Sequence, residues 1–140
     1  MADNLIAETI TRDIISSFFE AYNHLGYGFL EHVYSIALER ELVQRGRRVS
    51  REFGVPVRYK GEAIAIQRLD LVVEELVIVE VKSTEVLFPG AQRQLSSYLR
   101  ATSLEVGLLL HFGPQPRFYR SISSNRRTRG TPLPAGPRSA

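Results

Sequence analysis

From Leu76 to Lys82 the chain reads Leu-Val-Ile-Val-Glu-Val-Lys, an almost unbroken apolar and β-branched run. Such a run suits a strand covered on both faces better than a surface element with one wet side. A strand of that kind needs sheet neighbours beside it and a layer on each face. The chain is therefore expected to be layered, with helices packed on a mixed sheet. Three charges interrupt this apolar region: Glu80 and Lys82 in the run itself, and Asp70 in Leu69–Val73 before it. Charged groups are rarely buried unless they are paired or hold a metal.

The flanking sequence supplies the layers. Ile6, Ile10, Ile14, Ile15, Phe18, Phe19 and Tyr22 recur at three- and four-residue steps, which predicts an amphipathic helix over 5–23. Asn4 or Asp3 is placed to cap it. After the break His24–Gly28, a second helix is predicted over 30–45. Its inward stripe is Leu30, Val33, Tyr34, Ala37, Leu38, Glu41 and Leu42, and Gly46 stands as its C-cap. Strands follow over 49–59, 63–73 and 76–82. Pro56 marks the first as an edge strand, and Lys60-Gly61 is a turn. A helix over 90–102, with Leu95, Tyr98 and Leu99 inward, precedes strands over 106–112 and 118–122. The order is ααβββαββ, an α/β (α+β) mixed-sheet domain over residues 1–122. Residues 123–140, rich in Arg, Pro, Gly and Ser, read as a disordered basic tail.

Glu80 and Lys82 are two apart on one strand and share a face, with Val81 on the other. Whether Asp70 joins them depends on the turn. A two-residue Glu74-Glu75 loop sets Asp70 opposite Val79, whereas an odd loop centred on Glu75 sets it opposite Glu80. Glu-Glu is a poor two-residue turn, because those turns want Asn or Gly at positive φ, so a wider turn or a bulge is expected. Two close carboxylates repel, and one pKa rises unless a cation intervenes. Mg²⁺ or Mn²⁺ on Asp70 and Glu80, with the Val81 carbonyl completing the set, is the natural occupant. Lys82 would then orient a water or stabilise charge on phosphate. The plainer alternative is a structural Glu80–Lys82 pair at a sheet edge.

Composition narrows the remaining classes. A length of 140 residues allows one domain with a real core. Cysteine is absent, which removes disulfides and thiolate metal sites. No apolar run suits a membrane span and the first residues do not read as a secretory signal, so a cytoplasmic protein without membrane contact is expected. The net charge is +3, but four of the 18 basic residues (Arg126, Arg127, Arg129 and Arg138) lie in the tail, leaving 14 against 15 acids. The folded part thus has no general basic footprint. It has one local cluster, Arg45, Arg47, Arg48 and Arg51, readable as a solvated helix end or as phosphate contacts.

Asp70…Glu80-x-Lys82 on consecutive strands resembles the PD-(D/E)xK nuclease superfamily. Gly28-x-x-Glu31-x-x-Tyr34 is similar to the signature of its GxxExxY branch. The similarity extends through Arg68-Leu-Asp70-Leu, Gln94-Leu95…Tyr98-Leu99-Arg100-Ala101-Thr102, Gly107-Leu-Leu-Leu and Phe112-Gly113. The resemblance implies a restriction-endonuclease-like αβββαβ core with an extra N-terminal helix. It implies Asp70, Glu80 and Glu31 around Mg²⁺ or Mn²⁺, Lys82 as the catalytic lysine, and Gln94 near metal or substrate. The proline that names the superfamily motif is absent before Asp70.

The expected function is metal-dependent hydrolysis of nucleic acid, DNA being the expected substrate. Arg45, Arg47, Arg48, Arg51 and Arg93 are the candidate backbone contacts, and a homodimer would pair two sites for double-strand cutting. Two competitors stand beside it. One is a catalytically silent module on the same fold that binds nucleic acid or protein. The other is an interaction protein whose carboxylates form buried pairs.

Overall fold

The computed structural model describes residues 2–123. All but the first residue of the tail expected over 123–140 lies outside them. Two helices, α1 (Ala2–Leu25) and α2 (Glu31–Gln44), precede β1 (Val49–Tyr59), β2 (Glu62–Val73) and β3 (Val77–Lys82). Helix α3 (Ala91–Arg100) leads to β4 (Val106–Phe112) and β5 (Pro116–Ile122). The strands form one sheet in the order β1-β2-β3-β4-β5. Only β3 and β4 run parallel, and α3 makes the crossover between them. The element order is the ααβββαββ read from the sequence, with β1 at the edge and β3 and β4 inside.

Helices α1 and α2 cover one face. Ile10, Ile14, Phe18, Tyr34, Leu38 and Leu42 pack there on Leu71, Val79, Val81, Leu110 and Phe112. Helix α3 covers the other, with Ala91, Leu95 and Leu99 on Phe53, Leu69, Ile78 and Leu109. This explains the β3 sequence: both faces of Val77–Val81 are buried, so neither can be polar without a reason. Under α1, the Phe112 ring stacks on Tyr34 (4.0 Å between centroids) and meets Phe18 edge-on (4.8 Å).

Three local expectations fail. Helix α1 already runs through Asp3 and Asn4, so neither caps it. Ile6 is half exposed, and Leu30 precedes α2 with 72% of its surface exposed, so neither belongs to a buried stripe. Periodicity alone overran the ends of the surface each helix covers. Gly46 does close α2: its N–H donates to the Val43 carbonyl (2.9 Å) and that of Arg47 to Leu42 (2.9 Å).

The β2–β3 turn has the expected odd length. Val73 pairs with Val77 and Leu71 with Val79, and Glu74–Leu76 lie between. Yet Glu74 and Glu75 still take positive φ (56° and 55°), against the expectation from turn preference. Glu74 is held there from outside the turn. Its N–H donates to the Arg48 carbonyl (2.8 Å), and its carboxylate accepts the Arg48 N–H. Tertiary bonds thus offset a backbone cost of ~1–2 kcal/mol per residue.

The Ser17 hydroxyl is fully buried in α1 and has no hydrogen-bond partner among the described residues. Ser17→Ala is therefore expected to stabilise the fold by about 1 kcal/mol, because an unsatisfied polar group is removed and Ala favours helix. A urea unfolding curve checks it, and a lower midpoint would refute it.

Candidate active site

The phase of both β1 and β2 changes beside Asp70. Val49 and Leu71 pack towards α1 and α2, whereas Phe53 and Leu69, each an even number of residues away, pack towards α3. Strict alternation would keep each pair on one face. The slip is at Glu52, which has φ 53° and drops out of the ladder between the pairs Arg51–Leu71 and Phe53–Leu69. Its missing partner in that register is Asp70. A strained residue opposite a carboxylate turns that carboxylate out of the normal pleat.

Asp70 uses the freedom to face β3. The β2–β3 ladder is regular up to Leu71–Val79. The next two residues in register are Asp70 and Glu80, and there side chains replace backbone partners. The Val81 N–H donates to Asp70 Oδ2 (2.7 Å), and the Asp70 N–H donates to Glu80 Oε1 (3.3 Å). Val81 itself is fully buried, its side chain in the opposite layer.

Glu80 is 5% exposed. Burial, reinforced by the charge of Asp70, pushes its pKa up to about 9, and Lys82 only partly counters this. Without a cation, Glu80 is therefore driven towards its protonated form. Lys82 follows on the same face, its Nζ 5.6 Å from the centre of the Phe88 ring. Half-buried Tyr98 on α3 also feels the carboxylates: burial first, then Glu80 and Asp70, push its phenol up to about 12.

The other expected site residues are placed less tightly. Glu31, the first residue of α2, accepts the Ser83 N–H on Oε2 (3.1 Å), and the Ser83 hydroxyl donates to the Phe29 carbonyl. It thus stands beside the end of β3, but no three His, Cys, Asp or Glu side chains gather as a metal cage among the described residues. Glu31 gives one oxygen to the Ser83 amide and keeps the other, at the end of β3 that carries Lys82. Gln94 lies exposed on α3, one turn before Tyr98. The donor chemistry nonetheless fits a hard divalent cation: two carboxylates are held together against their repulsion, with no full countercharge.

The arginine cluster is divided: Arg51 stands on β1 opposite Leu71, next to Asp70, and the others lie further off. Arg47 binds Asp13 (2.7 Å), Arg51 binds Glu39 (2.9 Å), and Arg45 and Arg48 lie 3.8 Å from Glu41 and Glu74. Arg47 and Arg48 line a cavity of about 630 Å³ with Val49 and Glu75, at the turn end of β2 and β3. Lys82 lies at the other end of β3, roughly 17 Å away at ~3.4 Å per residue. Sequence proximity of the arginines reflects helix-end anchoring of α2. Arg93 is exposed on α3 beside Gln94.

Two neighbours were missed in the sequence. Tyr98 was read as core, although its four-residue step from Gln94 puts both on one face of α3. His111 pairs with Lys82 across β3 and β4, and its Nε2 lies 2.8 Å from the Thr84 carbonyl, pinning the loop after Lys82. No sequence signal marks His111, because the β3–β4 pairing is non-local.

A family model described as the PD-(D/E)XK nuclease superfamily matches residues 8–122. The chain belongs to the PD-(D/E)XK nuclease superfamily. The match runs from within α1 to the end of β5, so the restriction-endonuclease-like core stands. A crystal structure, that of SSO0001, shares the fold at 17% identity and a TM-score of 0.52 over 88% of this chain. The chain spans 64% of the length of that structure. No curated protein matches. Among the described residues of this superfamily domain, no helix is long and apolar enough to cross a membrane.

Proposed function

We propose that the chain is a metal-dependent nuclease of the GxxExxY branch that hydrolyses phosphodiester bonds, with DNA as substrate. The observation that carries this is the Asp70–Glu80 pair, set across β2 and β3 by the Val81 and Asp70 amides, with Lys82 on the same face. Asp70 and Glu80 would hold Mg²⁺ or Mn²⁺, with the Val81 carbonyl alongside. When bound, the cation supplies Lewis acidity towards the phosphodiester and acidifies a water. Lys82 orients that water and faces the charge that develops on phosphate. Glu31 and Ser83 hold the end of β3, and with it Lys82, in place. Gln94 and Tyr98 line the α3 side, where Gln94 orients substrate. Arg93 and Arg51 are the phosphate contacts nearest to the pair, and Arg45, Arg47 and Arg48 would act only on a substrate that reaches the far end of the sheet.

The test is cleavage of supercoiled and linear DNA with Mg²⁺ or Mn²⁺. Lys82→Ala and Asp70→Ala are each expected to lose about 10³-fold in rate while keeping the fold. Full activity in Lys82→Ala would end this reading. A catalytically silent binding module is the second reading, favoured by the weakly charged folded part. Mn²⁺ should raise the melting temperature of wild type and not of Asp70→Ala if a metal site exists. No shift in either protein, together with no cleavage, would favour the silent module.

A further inference from the structure

Beyond Asp70, β1 and β2 continue as an arm whose root keeps Phe53, Val55 and Leu69 buried towards α3 and whose outer part the rest of the domain does not cover. Every residue from Arg58 to Ile66 is exposed, Tyr59, Ile64 and Ile66 by 61–65% of their surface. The register places Gly54 against Arg68, Pro56 against Ile66 and Arg58 against Ala63. Arg58, Ile66 and Arg68 therefore share one face. That face has no carboxylate. The single acid of the arm, Glu62, pairs with Tyr59 and so lies on the other face, near the tip. Arg58 and Arg68 form no ion pair among the described residues, unlike Arg45, Arg47, Arg48 and Arg51. At the tip, Lys60 sits 5.4 Å over the Tyr59 ring.

The arm is also built against pairing with another strand. Pro56 removes a backbone donor, and the ladder slips between Val57 and Arg58. The Lys60-Gly61 turn, with both residues at positive φ, keeps it a narrow two-stranded ribbon. Exposed isoleucine flanked by unpaired arginines suits a surface that is apolar in the middle and anionic at its edges. The grooves of a nucleic-acid duplex have that character, with base edges between two phosphate rows.

We infer that the β1–β2 arm is a ribbon that enters the major groove of duplex DNA and anchors the duplex to the domain, its arginine face being the one turned away from α3. This rests on the nuclease reading and names its substrate as double-stranded DNA. The B-DNA major groove, about 12 Å wide, admits a two-stranded ribbon, whereas that of A-form RNA is too narrow and deep. Arg58 and Arg68 contact phosphates, and Ile66 contacts base edges. The tip stands roughly 25 Å from Asp70 at ~3.3 Å per residue, so the ribbon follows about seven base pairs of the groove.

The experiment is fluorescence anisotropy of a labelled 20-base-pair DNA duplex with the full chain in EDTA, as a function of salt. The basic tail is common to all variants and cancels in the comparison. Arg58→Ala/Arg68→Ala should bind at least about tenfold more weakly, with the log–log salt slope reduced by about 2. Ile66→Ser should weaken binding about tenfold and leave the slope unchanged. Unchanged duplex binding in both variants, with cleavage still lost in Lys82→Ala, would overturn the arm and spare the nuclease reading. Arm-dependent binding without cleavage in any metal would spare the arm and end the nuclease reading. Equal affinity for an RNA duplex would overturn the groove assignment. A dimer that Ile66→Ser converts to monomer, with DNA binding intact, would overturn the proposal and make the face an interface between copies.

Discussion

Glu80→Gln is expected to make the cation-free protein more stable than wild type above pH 5. The folded pKa of Glu80, about 9, lies above its ordinary value of 4.5, because burial and Asp70 both oppose its charge. The folded state therefore holds a proton that the unfolded chain releases. The stabilisation by that proton is complete below pH 4.5 and is lost as pH rises towards 9. The slope approaches 1.4 kcal/mol per pH unit, so the glutamate costs about 3 kcal/mol between pH 5 and pH 7. A glutamine of the same shape carries no such penalty. Urea unfolding of both proteins in EDTA at pH 5, 7 and 9 gives the difference directly. A pH-independent difference would mean that Glu80 ionises freely in the fold. With Mn²⁺ the order should reverse, since only the carboxylate pair gains from the ion by mass action. The stability sacrificed at Glu80 is what a functional site of this kind requires.

Tyr34→Ala should cost about 4 kcal/mol, and Tyr34→Phe about 1–2 kcal/mol, for different reasons. The ring is fully buried and stacked 4.0 Å from Phe112, so its removal leaves a cavity between α2 and β4. The hydroxyl donates to the Gly26 carbonyl (2.6 Å) and accepts the Phe29 N–H (3.3 Å). These bonds fold the loop between α1 and α2, in which Gly28 has φ 122°, a conformation costly for other residues. Phe29 in turn accepts the Ser83 hydroxyl, next to Lys82. Tyr34→Phe should therefore speed amide exchange at Phe29 and Ser83 more than in the sheet. Uniform acceleration across the sheet would show that the hydroxyl supports the whole domain instead of this loop. The Gly28-x-x-Glu31-x-x-Tyr34 pattern then has a physical meaning. The glycine permits the turn, the tyrosine clamps it, and the glutamate starts α2 within reach of β3.

Much of this molecule is legible in the chain because its signals are local. The apolar run Leu76–Lys82 can only be an inner strand, and the helical stripes of Ile10, Ile14 and Phe18 can only face a sheet. Counting from Glu75 was enough to set Asp70 against Glu80, since a strand repeats every two residues and an odd loop admits one register. The same count could not foresee that Glu74 and Glu75 take positive φ. That conformation is maintained by Arg48, 26 residues away in sequence from Glu74.

The arginines show the opposite limit. Four basic residues within seven positions look like one patch, but folding hands each to a different acid, sending Arg47 and Arg48 to the far end of the sheet and leaving Arg51 on β1 opposite Leu71. Only the tertiary structure decided that Arg58 and Arg68, on the β1–β2 arm, form no ion pair among the described residues. It also decided that Glu52 breaks the alternation opposite Asp70, that Glu31 meets Ser83, and that His111 and Tyr98 adjoin the lysine and the carboxylates. Each of these is a pairing between distant segments, set by which surfaces must be buried together. Composition and periodicity specify which residues go inside; they carry no information on which distant residue each will meet there.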